Sequence, residues 1–154
     1  MTILNLNELI HALPVGQRLL GIDPGQKQIG LALSDVSRML ASPYAVIKRG
    51  KVSAFVKELQ NIIQKENIGG LVCGLPLSLD GSFGPAAQAA RDWINAVSQA
   101  SQLPAALWDE RLSSSAVNRF LIEEADISRK RRGELVDKMA ACYMLQAALD
   151  AAKV

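Results

Sequence analysis

The chain has 154 residues, with 17 basic and 15 acidic side chains and a formal net charge of +2. A chain of this length forms one domain with a substantial core and has no room for two lobes. The nearly balanced charge neither requires nor excludes a polyanionic partner, so local clusters of charge must decide that point.

The first residues are not typical of a secretory signal. The stretch MTILNLNELIHALPV lacks a basic start and carries Glu8 where a signal would be apolar. No apolar run is long enough to cross a membrane, and Cys73 and Cys142 stand far apart in apolar segments. We therefore expect a soluble cytoplasmic protein with reduced cysteines, no membrane partner, an N-terminal arm at 1–15 and a single domain at 16–154.

Hydrophobic periodicity predicts three strands first, and helices alternating with strands afterwards. The continuous apolar run IGGLVCGLPL is typical of a buried strand, and Pro85 suits the first turn of the helix that follows it. The order indicates a single α/β domain. The predicted elements are strands at RLLGID, IGLALSD and YAVIKR, a helix from Lys51, the strand IGGLVCGLPL, a helix from Pro85, a strand at PAALWDER, a helix at SSSAVNRFLIEEA, a basic loop SRKRRG and a last helix at ELVDKMAACYMLQAALDAA.

Two groups of acids are predicted to lie at one edge of the sheet. Asp23 ends the first strand inside the segment LGIDPGQKQIG, and Asp109 and Glu110 end the last strand. Open α/β sheets bind ligands at the carboxyl ends of their strands, and parallel strands would bring these acids together. The non-functional alternatives are a turn at Asp23 and a surface ion pair of the later acids with Arg111.

A third acid, Asp137, lies on a face of the last helix that is otherwise small and apolar. The face is formed by Ala140, Ala141, Met144 and Ala148. A carboxylate on a packing face is costly unless an opposite charge compensates it. An ion pair with a neighbouring Lys or Arg is one source of that charge. The other is a cation, and three acids at one cleft suit Mg²⁺ or Mn²⁺, which take oxygen ligands.

Four segments resemble the YqgF (RuvX) family, described as Holliday junction resolvases or pre-16S rRNA nucleases. They are GIDPGQKQIGLALSD, VCGLPLSLDGSFGPAA, WDERLSS and VDKMAACYMLQAALD, in matching order. The resemblance implies a ribonuclease H-like fold, in which a five-stranded mixed sheet with its first three strands antiparallel is flanked by helices. It also implies a metal-dependent nuclease site at Asp23, Glu110 and Asp137. Because neighbouring strand residues point to opposite faces, Asp109 instead of Glu110 could be the inward-facing acid.

Basic residues supply candidate contacts to a nucleic-acid backbone. The main candidates are Lys27, Arg111, Arg129, Lys130, Arg131 and Arg132, and Lys48, Arg49 and Lys51 add to the positive charge. The predicted reaction is cleavage of a phosphodiester bond by a metal-bound water. The resemblance favours processing of the 5′ end of pre-16S rRNA, with Holliday junction resolution as the alternative, since both substrates present closely spaced phosphates.

Two functions from other classes compete with this prediction. The segment GIDPG also resembles the phosphate loop of the actin and sugar-kinase superfamily, but those proteins bind ATP between two such domains. The second is a non-catalytic protein that binds RNA or ribosome-assembly partners through the basic loop, although the presence of all three acids argues against it. The sequence does not distinguish a monomer from a homodimer, and symmetric cleavage of a junction would favour the dimer.

Overall fold

The computed structural model of the protein describes four segments of the chain, and in the last of them it describes side chains from Asp137 onward. The segments are residues 3–25, 27–76, 80–110 and 129–152. Three features of the sequence analysis lie outside the described residues: the helix predicted at SSSAVNRFLIEEA, the candidate contact Arg111, and residues 77–79 of the segment VCGLPLSLDGSFGPAA.

The described elements form a mixed sheet covered by helices. In chain order they are β1 (Ile3–Leu4), α1 (Leu6–Ala12), β2 (Arg18–Pro24), β3 (Gln28–Ser34), β4 (Ala41–Lys48), α2 (Val52–Glu66), β5 (Ile68–Leu75), α3 (Pro85–Ser101), β6 (Ala105–Asp109) and α4 (Arg129–Ala152). The strand order is β1-β6-β5-β2-β3-β4. β3 is antiparallel to both β2 and β4, and the remaining pairs are parallel. The predicted mixed sheet with three antiparallel strands in succession is therefore confirmed.

Within the described segments the sheet has six strands, one more than the five expected. The additional strand is β1, which comes from the N-terminal arm and pairs in parallel with the start of β6. Helix α1 follows, with a capping box between Asn5 and Glu8, and it buries Leu9 completely. The prediction missed β1 because a strand of two residues has no alternating pattern to detect.

Helices cover both faces of the sheet, and alternate strand residues face different helices. On one face, α2 and α3 pack through residues such as Phe55 and Trp93 onto Leu20 and Ile22 of β2. On the other face, α1 and α4 pack onto Leu19 and its neighbours. We call the second surface of the sheet the α4 face. No helix among the described residues is long and apolar enough to cross a membrane.

Helix α4 includes the basic run that was predicted as a loop, since Arg129 and the three residues after it are helical. Lys and Arg have high helix propensity, and a single glycine inside a long helix is tolerated. The predicted packing face of this helix is confirmed. Its members Ala140, Ala141, Met144 and Ala148 are at most 2% exposed. Cys73 and Cys142 are free and buried, as predicted.

Candidate active site

The strands that precede Asp23 and Glu110 end at the same edge of the sheet. β2 pairs in parallel with β5, and β5 pairs in parallel with β6, so all three run in one direction. Asp23 is the next-to-last residue of β2, and Glu110 directly follows β6. The two acids therefore lie at the carboxyl edge, where open α/β sheets bind ligands.

Strand alternation assigns Asp23 to the α4 face. Gly21, two residues earlier, lies beneath α4, since a Cβ atom at Gly21 would be 2.9 Å from the Cβ atom of Leu145. Residues two apart on a strand share a face, so Asp23 faces the same side. Asp23 is half-buried, and its partner on β3 is Gly30.

Gly30 brings helix α4 close to the sheet beside Asp23. A Cβ atom at Gly30 would collide with the backbone carbonyl oxygen of Asp137 and would lie 3.5 Å from the Cβ atom of Ala141. Only glycine permits this approach without displacement of the helix, because any other residue would place a Cβ atom in the contact. Asp137, which is also half-buried, is thereby held above the strand next to Asp23.

Gly74 has a corresponding role for Glu110. A Cβ atom at Gly74 would be 2.5 Å from Oε1 and 3.0 Å from Cγ of Glu110, so the Glu110 side chain lies over this glycine. Gly74 shares the α4 face with Val72, which packs in the core beneath that helix. Asp109 precedes Glu110 on β6, and the alternation turns it to the opposite face. Glu110 thus lies on the face that carries Asp23.

Asp23 lies between Gly30 and Gly74 in one row across the sheet, and Asp137 and Glu110 lie above the two glycines. We call this arrangement of three acids the acid row. Gly30 pairs with Asp23 on one side. On the other side Ile22 pairs with Cys73, so Gly74 is the next residue in the parallel register beside Asp23.

Neighbouring strands are about 4.8 Å apart, so Gly30 and Gly74 are separated by on the order of 10 Å. Asp137 above Gly30 and Glu110 above Gly74 therefore lie on the two sides of Asp23. Each of the three acids makes at least one polar or electrostatic interaction. Within the described segments, no three His, Cys, Asp or Glu side chains are grouped closely enough to hold a metal ion.

The carboxylates at this edge act on the buried thiol of Cys73. Burial raises the pKa of Cys73 well above its usual value, and the carboxylates of Asp23 and Glu110 raise it further, while Arg49 opposes them. The thiol is neutral at physiological pH and is not a nucleophile.

Arg49 contacts the same edge of the sheet on the face opposite α4. Its Nη1 atom donates a 2.9 Å hydrogen bond to the carbonyl oxygen of Gly25, in the turn after Asp23. Its guanidinium carbon lies 5.2 Å from the ring centre of Trp93, a favourable cation–π distance. The sequence indicates only a positive charge here, because these contacts join segments that are distant along the chain.

The predicted basic contacts are described to different extents. Lys27 is exposed in the turn between β2 and β3, and its carbonyl oxygen accepts a 2.8 Å hydrogen bond from the backbone of Arg49. The backbone of residues 129–132 is helical and forms the start of α4, between eight and five residues before Asp137. The structure therefore places Lys27 at the edge of the acid row and the basic run on the helix that carries Asp137.

Comparisons with known proteins agree with one another. Residues 17–151 match the sequence model of the family described as "RuvX: Holliday junction resolvase". A curated relative from Gluconacetobacter diazotrophicus, named "Putative pre-16S rRNA nuclease", is 64% identical over 151 residues, which cover 98% of each chain. A relative with the same name from Gluconobacter oxydans is 60% identical over 153 residues and covers 99% of this chain and 96% of its own.

Solved structures share the fold at low sequence identity. The structure described as "T. thermophilus RuvC in complex with Holliday junction substrate" has a TM-score of 0.53 at 14% identity, and the match covers 88% of this chain and 94% of that one. A second structure of RuvC from Thermus thermophilus has a TM-score of 0.51 at 12% identity, with 88% and 95% covered. This likeness shows the ribonuclease H-like fold that the sequence resemblance implied.

Proposed function

The chain belongs to the RuvX family, and on that premise we propose that it is a metal-dependent endonuclease that matures the 5′ end of pre-16S rRNA. Its family and its curated relatives are nucleases, so its reaction is hydrolysis of phosphodiester bonds. The observation that carries the proposal is the acid row, because it brings together a carboxylate from β2, one that directly follows β6 and one from α4 at the edge where open α/β sheets bind ligands.

The donors of the acid row suit a divalent cation. Asp23, Glu110 and Asp137 offer carboxylate oxygens, the ligands that Mg²⁺ and Mn²⁺ prefer. Cys73 packs on the other side of the sheet and stays protonated, so it does not convert the site to one for a thiophilic metal. We propose Asp23, Glu110 and Asp137 as the metal ligands, and since their side chains are not grouped closely enough in this structure to share one ion, binding would have to draw them together. When bound, such an ion lowers the pKa of a water molecule and neutralises charge that develops on the phosphate.

The protein's own contribution is to fix the carboxylates and to attract the substrate. Asp23 and Glu110 stand at the ends of hydrogen-bonded strands, and Asp137 is set by the contact of α4 with Gly30. Sites on strands and helices hold their geometry more precisely than sites on loops. Partial burial strengthens the field of the carboxylates, because less water screens them. Lys27 and the basic run supply attraction to the phosphate backbone.

The proposed substrate is supported by the names of the two curated relatives quoted above. A four-way DNA junction is the second candidate, because the family description names Holliday junction resolvase. We also propose that the protein works in the cytoplasm, since its two cysteines are free and buried and a reducing compartment keeps thiols in that state.

Parallel cleavage assays of two labelled substrates test the function. One is the 5′ segment of a precursor of small-subunit rRNA, and the other is a synthetic four-way DNA junction, each with Mg²⁺, Mn²⁺ or EDTA. We expect metal-dependent cutting of the RNA. Cutting of the junction alone would move the function to resolution. Binding of both without cutting would favour the non-catalytic alternative and overturn the proposal.

A further inference from the structure

Lys48 and Lys138 line one cleft on the α4 face of the sheet. The cleft has a volume of about 440 Å³ and is lined by Gln28, Tyr44, Ala45, Val46, Lys48 and Lys138. It lies between the end of β4 and helix α4. We call it the lysine cleft.

The strand register places the lysine cleft next to the acid row. Gly30 pairs with Asp23 on one side and with Val46 on the other, so the row continues onto β4 at Val46. Lys48 is two residues farther towards the carboxyl edge, and a step of two keeps it on the α4 face. Two strand spacings, on the order of 10 Å, separate β4 from β2. Lys138 directly follows Asp137, the acid above Gly30.

The amines of the cleft are available to an anion. Lys48 is exposed and Lys138 is half-buried. Neither lysine forms an ion pair within the part of the chain that the structure describes. Val46, which pairs with Gly30 on the α4 face, provides an apolar surface beside the amines. Gln28, the strand partner of Lys48, adds an amide donor.

We propose that the lysine cleft binds the phosphodiester backbone of the substrate strand beside the phosphate that is cut. This inference rests on the proposed function, because it assigns the nucleic acid a path from the acid row towards β4. The acid row by itself repels a polyanion. The amines of Lys48 and Lys138 beside it offset that repulsion and fix the position of the nucleic-acid strand. Amine contacts to phosphate carry no sequence information, so the cleft positions the strand and does not read its bases.

The salt dependence of binding tests the cleft directly. The probe is a short single-stranded oligoribonucleotide in EDTA, so that metal-dependent cutting does not interfere. The test variant carries Lys48→Ala and Lys138→Ala. The matched control carries Lys57→Ala and Lys65→Ala, which remove two exposed charges from α2, the helix on the opposite face. Thermal melting establishes that both variants fold.

Each phosphate contact on a single strand contributes about 0.7 to the slope of log affinity against log salt concentration. We therefore expect the slope to fall by about 1.4 in the cleft variant and to stay unchanged in the control. Equal slopes in the two variants would overturn the proposal, whatever the cleavage assays show. If the wild-type protein cuts neither substrate but its salt dependence still requires the two lysines, the nuclease proposal is wrong and the proposal that the cleft binds nucleic acid is retained.

Chemical labelling separates a polymer site from a site for small anions. Acetylation of the amines of Lys48 and Lys138 in the wild-type protein should be slowed by the oligoribonucleotide and unaffected by the same concentration of inorganic phosphate. Equal protection by inorganic phosphate would overturn the proposal, because the cleft would then be a small-anion site. The amines of Lys57 and Lys65 serve as the internal reference and should react equally under all conditions.

Discussion

The backbone carbonyl oxygen of Asp137 lies directly over Gly30, the strand partner of Asp23. Both partners in this contact belong to the backbone of regular elements, so neither can move without displacing a helix or a strand. The separation of Asp23 and Asp137 therefore depends on the absence of a side chain at position 30. The contact links the packing of α4 to the geometry of the acid row.

Substitution of Gly30 by alanine should destabilise the protein and disturb the site together. The new Cβ atom would force α4 away from the sheet, and overpacking of this kind costs about 1–3 kcal/mol. Urea unfolding and cleavage rate are the measurements. Gly50→Ala is the matched control, because nothing lies within 4 Å of a Cβ atom at that position. Wild-type stability and activity in Gly30→Ala would show that the helix does not depend on this contact.

Gly74→Ala should separate activity from stability. The added Cβ atom would meet the side chain of Glu110, which can rotate away, so we expect unfolding close to that of the wild type. Displacement of a ligand by about 1 Å lowers the rate on the order of 10²-fold. If Glu110 is the group displaced, Glu110→Gln combined with Gly74→Ala should lose little more than Glu110→Gln alone. Normal cutting by Gly74→Ala would remove Glu110 from the site.

The neighbouring acids Asp109 and Glu110 should differ sharply in their contribution. Glu110 lies on the α4 face with Asp23, whereas the alternation turns Asp109 to the other face. We therefore expect Glu110→Gln to abolish metal-dependent cutting and Asp109→Asn to retain most of it, as judged by initial rates at saturating Mg²⁺. The opposite pattern would assign the ligand to Asp109.

Arg49 should act by positioning the turn after Asp23 rather than by attracting substrate. Lysine in its place keeps the charge but loses the planar group that bonds Gly25 and stacks on Trp93. We expect Arg49→Lys and Arg49→Met to lower kcat to a similar extent and to leave KM nearly unchanged. A rise in KM for Arg49→Met that Arg49→Lys does not share would assign Arg49 to substrate attraction.

Cys73 should make the stability of the protein sensitive to alkaline pH. Its pKa is higher in the folded protein than in the unfolded chain, because burial and the nearby carboxylates disfavour the thiolate. Its contribution to stability is thus complete below the unfolded value of about 8.5 and is lost as the pH rises towards the folded value. Urea unfolding from neutral to alkaline pH measures the loss, which should be smaller in Cys73→Ala. An identical pH dependence in both proteins would contradict this explanation.

The predictable parts of the fold and of the candidate site are those encoded in short segments. The strand that ends at Asp23 and the alanine face of α4 follow from local periodicity, and parallel strands then bring two acids to one edge. Three features depend on contacts between distant segments, so they cannot be predicted from the sequence. These are the pairing of β1 with β6, the hydrogen bond of Arg49 to Gly25, and the approach of Asp137 to Gly30. A glycine in a strand signals a close approach but does not identify the residue that approaches.

The basic run at the start of α4 illustrates a different limit. Clustered positive charges and a glycine predict a loop, yet the backbone of Arg129 and of the three residues after it is helical. Charge patterning describes what a segment can attract, whereas helix propensity decides its local conformation, and Lys and Arg favour the helix. The two properties have to be evaluated separately.

Asp23 is expected to hold a metal ion that cutting requires. The most direct measurement is the cleavage rate of the precursor rRNA segment as Mg²⁺ is titrated into wild-type protein and into Asp23→Asn, with an EDTA sample of each. We predict a rate that saturates with Mg²⁺ for the wild type, no cutting in EDTA, and no cutting by Asp23→Asn at any Mg²⁺ concentration. Equal cutting by Asp23→Asn, or wild-type cutting in EDTA, would show that Asp23 does not hold a metal ion on which cutting depends.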